Sequence, residues 1–196
     1  MPNLYIIAGC NGAGKTTASF TVLPEMLNCD EFINADEIAR GLAPFNPNKA
    51  AIEAGRIMLG KIYKLIESQQ NFAFETTLSS RSFVSTIKKA RNAGYHITLI
   101  FFYLESVELA IERVKNRVLE GGHNIAESVI KRRYFSGLQN LFNLYIPVCD
   151  YWMIFNNSKL NIDLIAEGYF DIEINITDIY TFEIVKSKNE DGSKRE

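Results

Sequence analysis

The octapeptide Gly9-Cys10-Asn11-Gly12-Ala13-Gly14-Lys15-Thr16 combines three glycines, a lysine and a hydroxyl at fixed spacing. Residues of these types in this order can hold phosphate. Glycine permits backbone angles that turn successive N–H groups inward, where they donate to phosphate oxygens. A helix opening near Lys15 adds the positive end of its dipole. The lysine can reach the outer phosphates, and the Thr16 hydroxyl can ligate a magnesium ion. The spacing is that of G-x-x-x-x-G-K-[ST], the phosphate-binding P-loop. It lies between an apolar run, Leu4-Tyr5-Ile6-Ile7-Ala8, and a helical pattern, the context that the motif requires. The expected nucleotide-binding set is Gly9, Asn11, Gly12, Ala13, Gly14, Lys15, Thr16 and Thr17, with ATP as ligand and Mg2+ on Thr16.

A bound triphosphate needs acidic and basic partners in order to react. In open α/β sheets the ligand sits beyond the carboxyl ends of the strands. Asp36, Glu75 and Glu105 fall at such ends. A carboxylate there can take a proton from a hydroxyl, hold magnesium or grip a substrate. Asp36 also suits the start of a helix, and Glu105 reads as a charge favoured by the dipole of the helix it precedes. Cationic side chains should close over a moving phosphoryl group. Arg113 and Arg117 stand four apart on one helix, and Arg132 and Arg133 lie across the Gly121-Gly122 break. Helix, glycine, helix with arginines on both arms is the pattern of a lid over about 106–145. The alternative is a solvated hairpin whose arginines pair with Glu112, Glu120 and Glu127. His123 reads as a loop residue capping a helix.

The elements that must position these groups alternate between apolar runs and helical patterns through residue 155, the mark of a mostly parallel sheet. The spacing predicts strands at about Leu4–Ala8, 31–36, 72–75, 97–104 and 151–155, the fourth being central because it is the most apolar. Helices are predicted at about 15–27, with a kink or early end at Pro24, and at 48–69, 82–93, 106–119 and 124–144. Asn124 and Glu127 form a capping-box pattern at the last of these. Phe170, Ile172, Ile174 and Ile176 then alternate with polar residues, which predicts an antiparallel extension over about 164–185. Residues 186–196 read as a disordered tail. The fold class is α/β, a five-stranded mostly parallel sheet in a single domain over 1–185.

The chain has 196 residues, 47% of them hydrophobic and 22% charged, with net charge −2. Such a balance suits one globular domain and argues against a broad nucleic-acid surface. Cys10, Cys29 and Cys149 are far apart and form no CxxC, which argues against zinc and disulfides and for a reducing cytoplasm. Oxidation of Cys10 would block the loop, although a tolerated small residue is the plainer reading. The first strand begins within a few residues of Met1, leaving no room for a signal peptide, and no apolar stretch is long enough for a membrane span.

Taken together, Gly9–Thr17, Ile33-Asn34-Ala35-Asp36, Phe74-Glu75-Thr76-Thr77, Arg113…Arg117, Gly121-Gly122-His123-Asn124 and Lys131-Arg132-Arg133-Tyr134 resemble the zeta-toxin-like family of small P-loop kinases. The resemblance spans about residues 3–160. It implies an ATP- and Mg2+-dependent kinase acting on a small-molecule hydroxyl. Asp36 is then the general base, and Glu75 and Thr77 are substrate-side residues. Lys15, Arg113 and Arg117 stabilise the phosphoryl group, while the loop holding Asn157 lies at the adenine. It also implies a small antitoxin protein as partner. Characterised zeta toxins phosphorylate UDP-N-acetylglucosamine. They carry Glu-Gly-Thr-x-Arg where this chain has Glu75-Thr76-Thr77-Leu78-Ser79, so the arginine is absent from its place. From the residues alone, a nucleotide-dependent switch and a nucleotide or RNA-end kinase stand as rival readings.

Overall fold

The computed structural model describes residues 1–122, 124–169 and 174–191. Seven strands form one sheet in the order β2-β3-β1-β4-β5-β6-β7. The first five, β1 (Asn3–Gly9), β2 (Phe32–Ile33), β3 (Phe72–Thr76), β4 (His96–Tyr103) and β5 (Tyr151–Asn156), are mutually parallel. Parallel strands covered by helices on both faces need apolar side chains on both, which explains the unbroken runs of β1 and β4. Leu4, Ile6, Ala8, Ile97 and Leu99 are wholly buried, and β4 stands in the middle of the sheet as its composition predicts.

The helices α1 (Lys15–Leu27), α2 (Ala35–Leu42), α3 (Ala51–Glu67), α4 (Ser82–Asn92), α5 (Val107–Leu119) and α6 (Glu127–Asn140) fill the connections. Each boundary has a local cause. Gly14 opens α1 in the left-handed region, and Asn28 closes it there, so Pro24 does not end the helix early. Ser106 accepts a hydrogen bond from the Leu109 N–H and caps α5. The expected capping box at α6 does not form. The helix opens after Ala126 with no side-chain cap, and Glu127 instead pairs with Lys115 of α5 at 2.7 Å. An exposed pair of this kind staples the α5–α6 hairpin only weakly. His123 lies outside the described residues.

The second strand is shorter than expected because Asn34 turns the chain into α2. A larger correction concerns the C-terminal part. The strands β6 (Asp163–Tyr169) and β7 (Asn175–Ile176) are antiparallel, as the alternation predicts, but the chain then forms α7 (Ile179–Asp191). The predicted strand character from Ile179 to Val185 and the first part of the predicted tail, 186–191, therefore give way to helix, and residues 192–196 lie outside the described residues. Asp178 accepts from the Thr181 N–H, and the two buried residues Phe182 and Val185 are three apart, on one helical face. Phe170 and Ile172 of the alternating pattern lie outside the described residues. No helix among the described residues is long and apolar enough to cross a membrane.

Helix α7 is tied to the middle of the molecule through Lys188. Its ammonium donates to the Glu105 carbonyl at 2.7 Å and to the hydroxyls of Tyr103 and Tyr134 at 3.0 and 3.2 Å. Tyr134 in turn donates to the Leu104 carbonyl at 2.8 Å. Hydrogen bonds to a charged group contribute about 1.5–3 kcal/mol where water is partly excluded. Lys188→Met, which keeps the aliphatic stem, should lower unfolding stability by about 1–2 kcal/mol on this scale. Urea titration with an unchanged slope is the measurement, and an unshifted midpoint would refute the tie.

Candidate active site

The P-loop adopts the backbone that its glycines allow. Gly9 has φ 142° and lies so close to β4 that a Cβ there would sit 2.5 Å from the Phe102 carbonyl oxygen. Gly12 and Gly14 are left-handed at φ 81° and 78°. The Asn157 side chain fills the space over Gly14 and donates to the Ala13 carbonyl at 2.8 Å. Asn157 thus straps the loop after β5 to the phosphate cradle. Its observed partner is the cradle backbone.

Beneath the cradle, Glu75 gathers the reactive groups of the P-loop. β1 and β3 pair with Ile7 opposite Glu75, so the carboxyl end of β3 abuts the start of the loop. The Thr16 hydroxyl donates to Glu75 Oε2 at 2.7 Å, and the Lys15 ammonium lies 3.4 Å from Oε1. The Asn34 amide donates to Oε2 at 2.8 Å. Lys15 also donates to the Cys10 carbonyl at 2.9 Å. The Glu75 oxygens are thus engaged by the lysine and hydroxyl of the P-loop and by the Asn34 amide, while its side chain also borders the cavity that Thr77 lines. A hydroxyl and a carboxylate side by side are hard oxygen donors of the kind that hold Mg2+ together with phosphate oxygens and water. These residues fit that ion.

Asp36 stands in the first turn of α2, where a carboxylate is favoured by the helix dipole. It is exposed and borders four cavities, two of which also adjoin Glu75. One, of about 340 Å³, is lined by Asn11, Gly14, Lys15, Thr16, Thr17 and Glu75, with Arg113 and Arg117 on its far wall. The other, of about 170 Å³, is lined by Asn34, Glu75, Thr77, Ser79, Ser80 and Arg133. Thr77 belongs to this second cavity, where its hydroxyl lies 2.9 Å from that of Ser79. The loop that carries them is held from α6. Gly137 is so close that a Cβ would meet the Thr77 carbonyl oxygen at 2.5 Å, and Asn140 donates to the Leu78 carbonyl at 2.7 Å. Leu78 itself is buried at φ 56°, a conformation that costs a non-glycine residue on the order of 1–2 kcal/mol.

The four arginines have separate positions. Arg113 donates to the carbonyls of Asn157 and Ser158 at 2.8 and 3.1 Å, so its guanidinium anchors that loop while its side chain lines the P-loop cavity. Arg117 lines the cleft, and Gly122 packs against it so closely that a Cβ would lie 2.5 Å from its Cγ. Arg133 reaches the P-loop and donates to Asn11 Oδ1 at 3.2 Å. Burial lowers its pKa, while the nearby Asp36 charge opposes that shift. Arg132 lines another of the cavities that border Asp36, between α2 and α6, with Ala39, Pro47, Ile125, Val129 and Arg133. Sequence reasoning missed the positioning work of Asn34. Its signal was an amide between a strand and a helix, the pattern of an N-cap.

The strand order, the cradle and the carboxylate beneath it define the fold of the P-loop kinases. The family is equally plain: residues 1–159 match the family model described as zeta toxin, and the chain belongs to that family. An uncharacterized protein of Haemophilus influenzae is 36% identical over 129 residues, which are 64% of this chain and 88% of that one. Among solved structures, a chain of the AvrRxo1-ORF1:ORF2 complex with ATP superposes with TM-score 0.78 at 16% identity, over 96% of this chain. This chain spans only 64% of that one. A structure of the PezAT chromosomal toxin–antitoxin system of Streptococcus pneumoniae matches with TM-score 0.64 at 15% identity, over all of this chain and 88% of the other. At such identities the structural likeness is one of fold.

Cys10 lies inside the cradle, yet burial pushes its thiol up to about 11 despite the Lys15 and Arg113 charges nearby. Burial likewise pushes Cys29 to about 11 and raises Cys149. A raised thiol pKa leaves the unreactive protonated form dominant until the pH approaches that value. At about pH 8 the native protein should therefore react slowly with a disulfide reagent at all three cysteines, and rapidly at all three once unfolded in guanidinium chloride. Rapid native modification of Cys10 would show that the cradle opens.

Proposed function

We propose that the protein is an ATP- and Mg2+-dependent kinase that transfers the γ-phosphoryl group to a hydroxyl of a small molecule. The observation that carries this reading is the arrangement around Asp36. One cavity holds the P-loop lysine and hydroxyl with Glu75, the other offers Asn34, Thr77, Ser79 and Ser80, and the exposed Asp36 borders both. Donor and acceptor can thus meet across one carboxylate. A second cavity with its own polar lining favours transfer over plain hydrolysis, and so over a nucleotide-dependent switch.

In this mechanism the P-loop N–H groups and Lys15 hold the triphosphate, and Thr17 and Asn11 lie along the same wall. Thr16 and Glu75 would hold Mg2+, which when bound supplies charge neutralisation to the phosphate oxygens. Asp36 accepts the proton of the acceptor hydroxyl as its oxygen bonds to the γ-phosphorus, while the bond from that phosphorus to the bridging oxygen breaks and ADP leaves. Arg117 and Arg133 flank the transferred group, and Thr77 orients the acceptor. Arg113 and Asn157 fix the loop at the base end of the nucleotide.

UDP-sugars are the first acceptors to test, given the family. Ser79 occupies the place of the arginine in Glu-Gly-Thr-x-Arg and lines the acceptor cavity, so an acceptor with one anionic contact fewer is the natural second choice. A small antitoxin protein is the proposed partner; the toxin–antitoxin structures among the fold neighbours support it. Buried thiols fit a reducing cytoplasm, which is the proposed location. Incubation with labelled ATP, a metabolite extract and UDP-sugars, followed by mass spectrometry, should yield a phosphorylated product. Asp36→Asn should lower its formation by about 100-fold or more while nucleotide affinity changes little. Full transfer by that variant would remove Asp36 as the base.

A further inference from the structure

The Asn34 side chain faces two ways, and both of its ends are engaged. Asn34 is 7% exposed and stands between β2 and α2. Its Oδ1 accepts from the Asp36 N–H at 2.8 Å and the Glu37 N–H at 3.4 Å, capping α2. Its Nδ2 donates to Glu75 Oε2 at 2.8 Å and lies 3.5 Å from the Thr16 hydroxyl. The neighbours fix which end is which. Backbone N–H groups on one side demand an acceptor, and a carboxylate on the other demands a donor.

We propose that Asn34 is a positioning residue that ties the carboxylate serving the magnesium ion to the helix carrying the base. Through its amide, the place of Glu75 under the P-loop and the place of Asp36 above it are set by one rigid group. The residue type follows from this double task. Serine, threonine and aspartate cap a helix about as well as asparagine does, so capping alone does not call for an amide. Aspartate would set a second negative charge against Glu75, and a serine hydroxyl is too short to reach it while capping. Asparagine alone among the good caps offers an acceptor and a donor on opposite atoms of one plane. Removing a hydrogen bond that orients a metal-side ligand typically weakens metal affinity about 10–100-fold.

This inference rests on the phosphotransferase reading of the cleft, and the test separates the two. The full chain, Lys15→Ala, Asn34→Ser, Glu75→Gln and the double variant Asn34→Ser/Glu75→Gln are compared. Thermal unfolding and the affinity for a fluorescent ATP analogue are measured across a Mg2+ titration. The unaltered chain should bind the analogue more tightly with Mg2+, and Lys15→Ala should abolish binding. Asn34→Ser should unfold within a few degrees of the unaltered chain, because serine keeps the cap. Its half-saturating Mg2+ concentration should nevertheless rise about tenfold or more. The double variant should need no more Mg2+ than Glu75→Gln alone, since Asn34 acts through that carboxylate. An unchanged Mg2+ dependence in Asn34→Ser overturns the proposal, as does a loss that adds to that of Glu75→Gln. A melting point lowered well beyond a few degrees overturns it too, because the bond from Asn34 to Glu75 would then serve mainly to hold the fold. If the unaltered chain binds no nucleotide, or Lys15→Ala binds as well as it does, the phosphotransferase reading itself falls and this proposal with it.

Discussion

A lysine and a glutamate buried side by side are the constraint on which the rest of the molecule depends. Lys15 is 5% and Glu75 11% exposed, and neither would be stable there alone. Leaving one of a buried pair without its partner costs about 3–5 kcal/mol. The two residues come from segments sixty positions apart, so the pair can form only if β1 and β3 are neighbours in the right register. That register, Ile7 opposite Glu75, is one step of a continuous parallel ladder. A slip by one residue would turn Glu75 to the other face of the sheet and bury its charge among helix side chains. The cluster therefore makes the fold and the site mutually dependent: the same hydrogen bonds that satisfy the buried charges also arrange the groups that meet phosphate.

The remaining parts attach to this cluster through a few specific contacts. Asn157 enters from β5 and occupies the space that glycine leaves at position 14, so the absence of a side chain there is what allows the strap. Arg113 holds the same loop from the opposite side. Helix α6 contributes on both flanks. Its N-terminal half sends Arg133 to the cradle, and its C-terminal half seats the loop from Thr77 to Ser80 through Gly137 and Asn140. The Tyr145 hydroxyl donates to the Ser80 carbonyl just beyond the helix. One helix thus touches both the phosphate cradle and the wall of the cavity that Thr77 lines, and α7 braces it through Lys188 and Tyr134.

Much of the fold could be read from the sequence because each signal was local. The glycine spacing, the apolar runs of β1 and β4 and the helical periodicities of α3 and α5 are dictated by residues within one element. What could not be read depended on partners far away in sequence. Glu75 was recognisable as a carboxylate at a strand end, but nothing near it says that Thr16 and Lys15 lie beside it. Arg113 is legible as a cation near the P-loop, but its hydrogen bonds to two carbonyls of the loop after β5 join it to residues 44 and 45 positions away. The C-terminal helix was misread because its apolar residues also alternate over a short window. The deciding feature is the Asp178 cap together with the three-residue spacing of Phe182 and Val185. The capping box at Asn124 was a correct pattern overridden by the tertiary pairing of Glu127 with Lys115.

The two carboxylates of the cleft have opposite surroundings. Glu75 already accepts hydrogen bonds from Thr16 and Asn34 and sits against an ammonium, so its lone pairs are committed and directed at the cradle. In the proposed mechanism this enclosed acid serves the cation and leaves proton transfer to the other. Asp36 has the converse surroundings. It is exposed and borders both cavities that adjoin Glu75, with the Arg133 charge near enough to interact with it and the start of α2 behind it. Its oxygens are accessible to a hydroxyl arriving from the acceptor side. The division follows from topology: one acid ends a strand interior to the sheet and is enclosed, while the other opens a helix beyond the short strand at the sheet's edge.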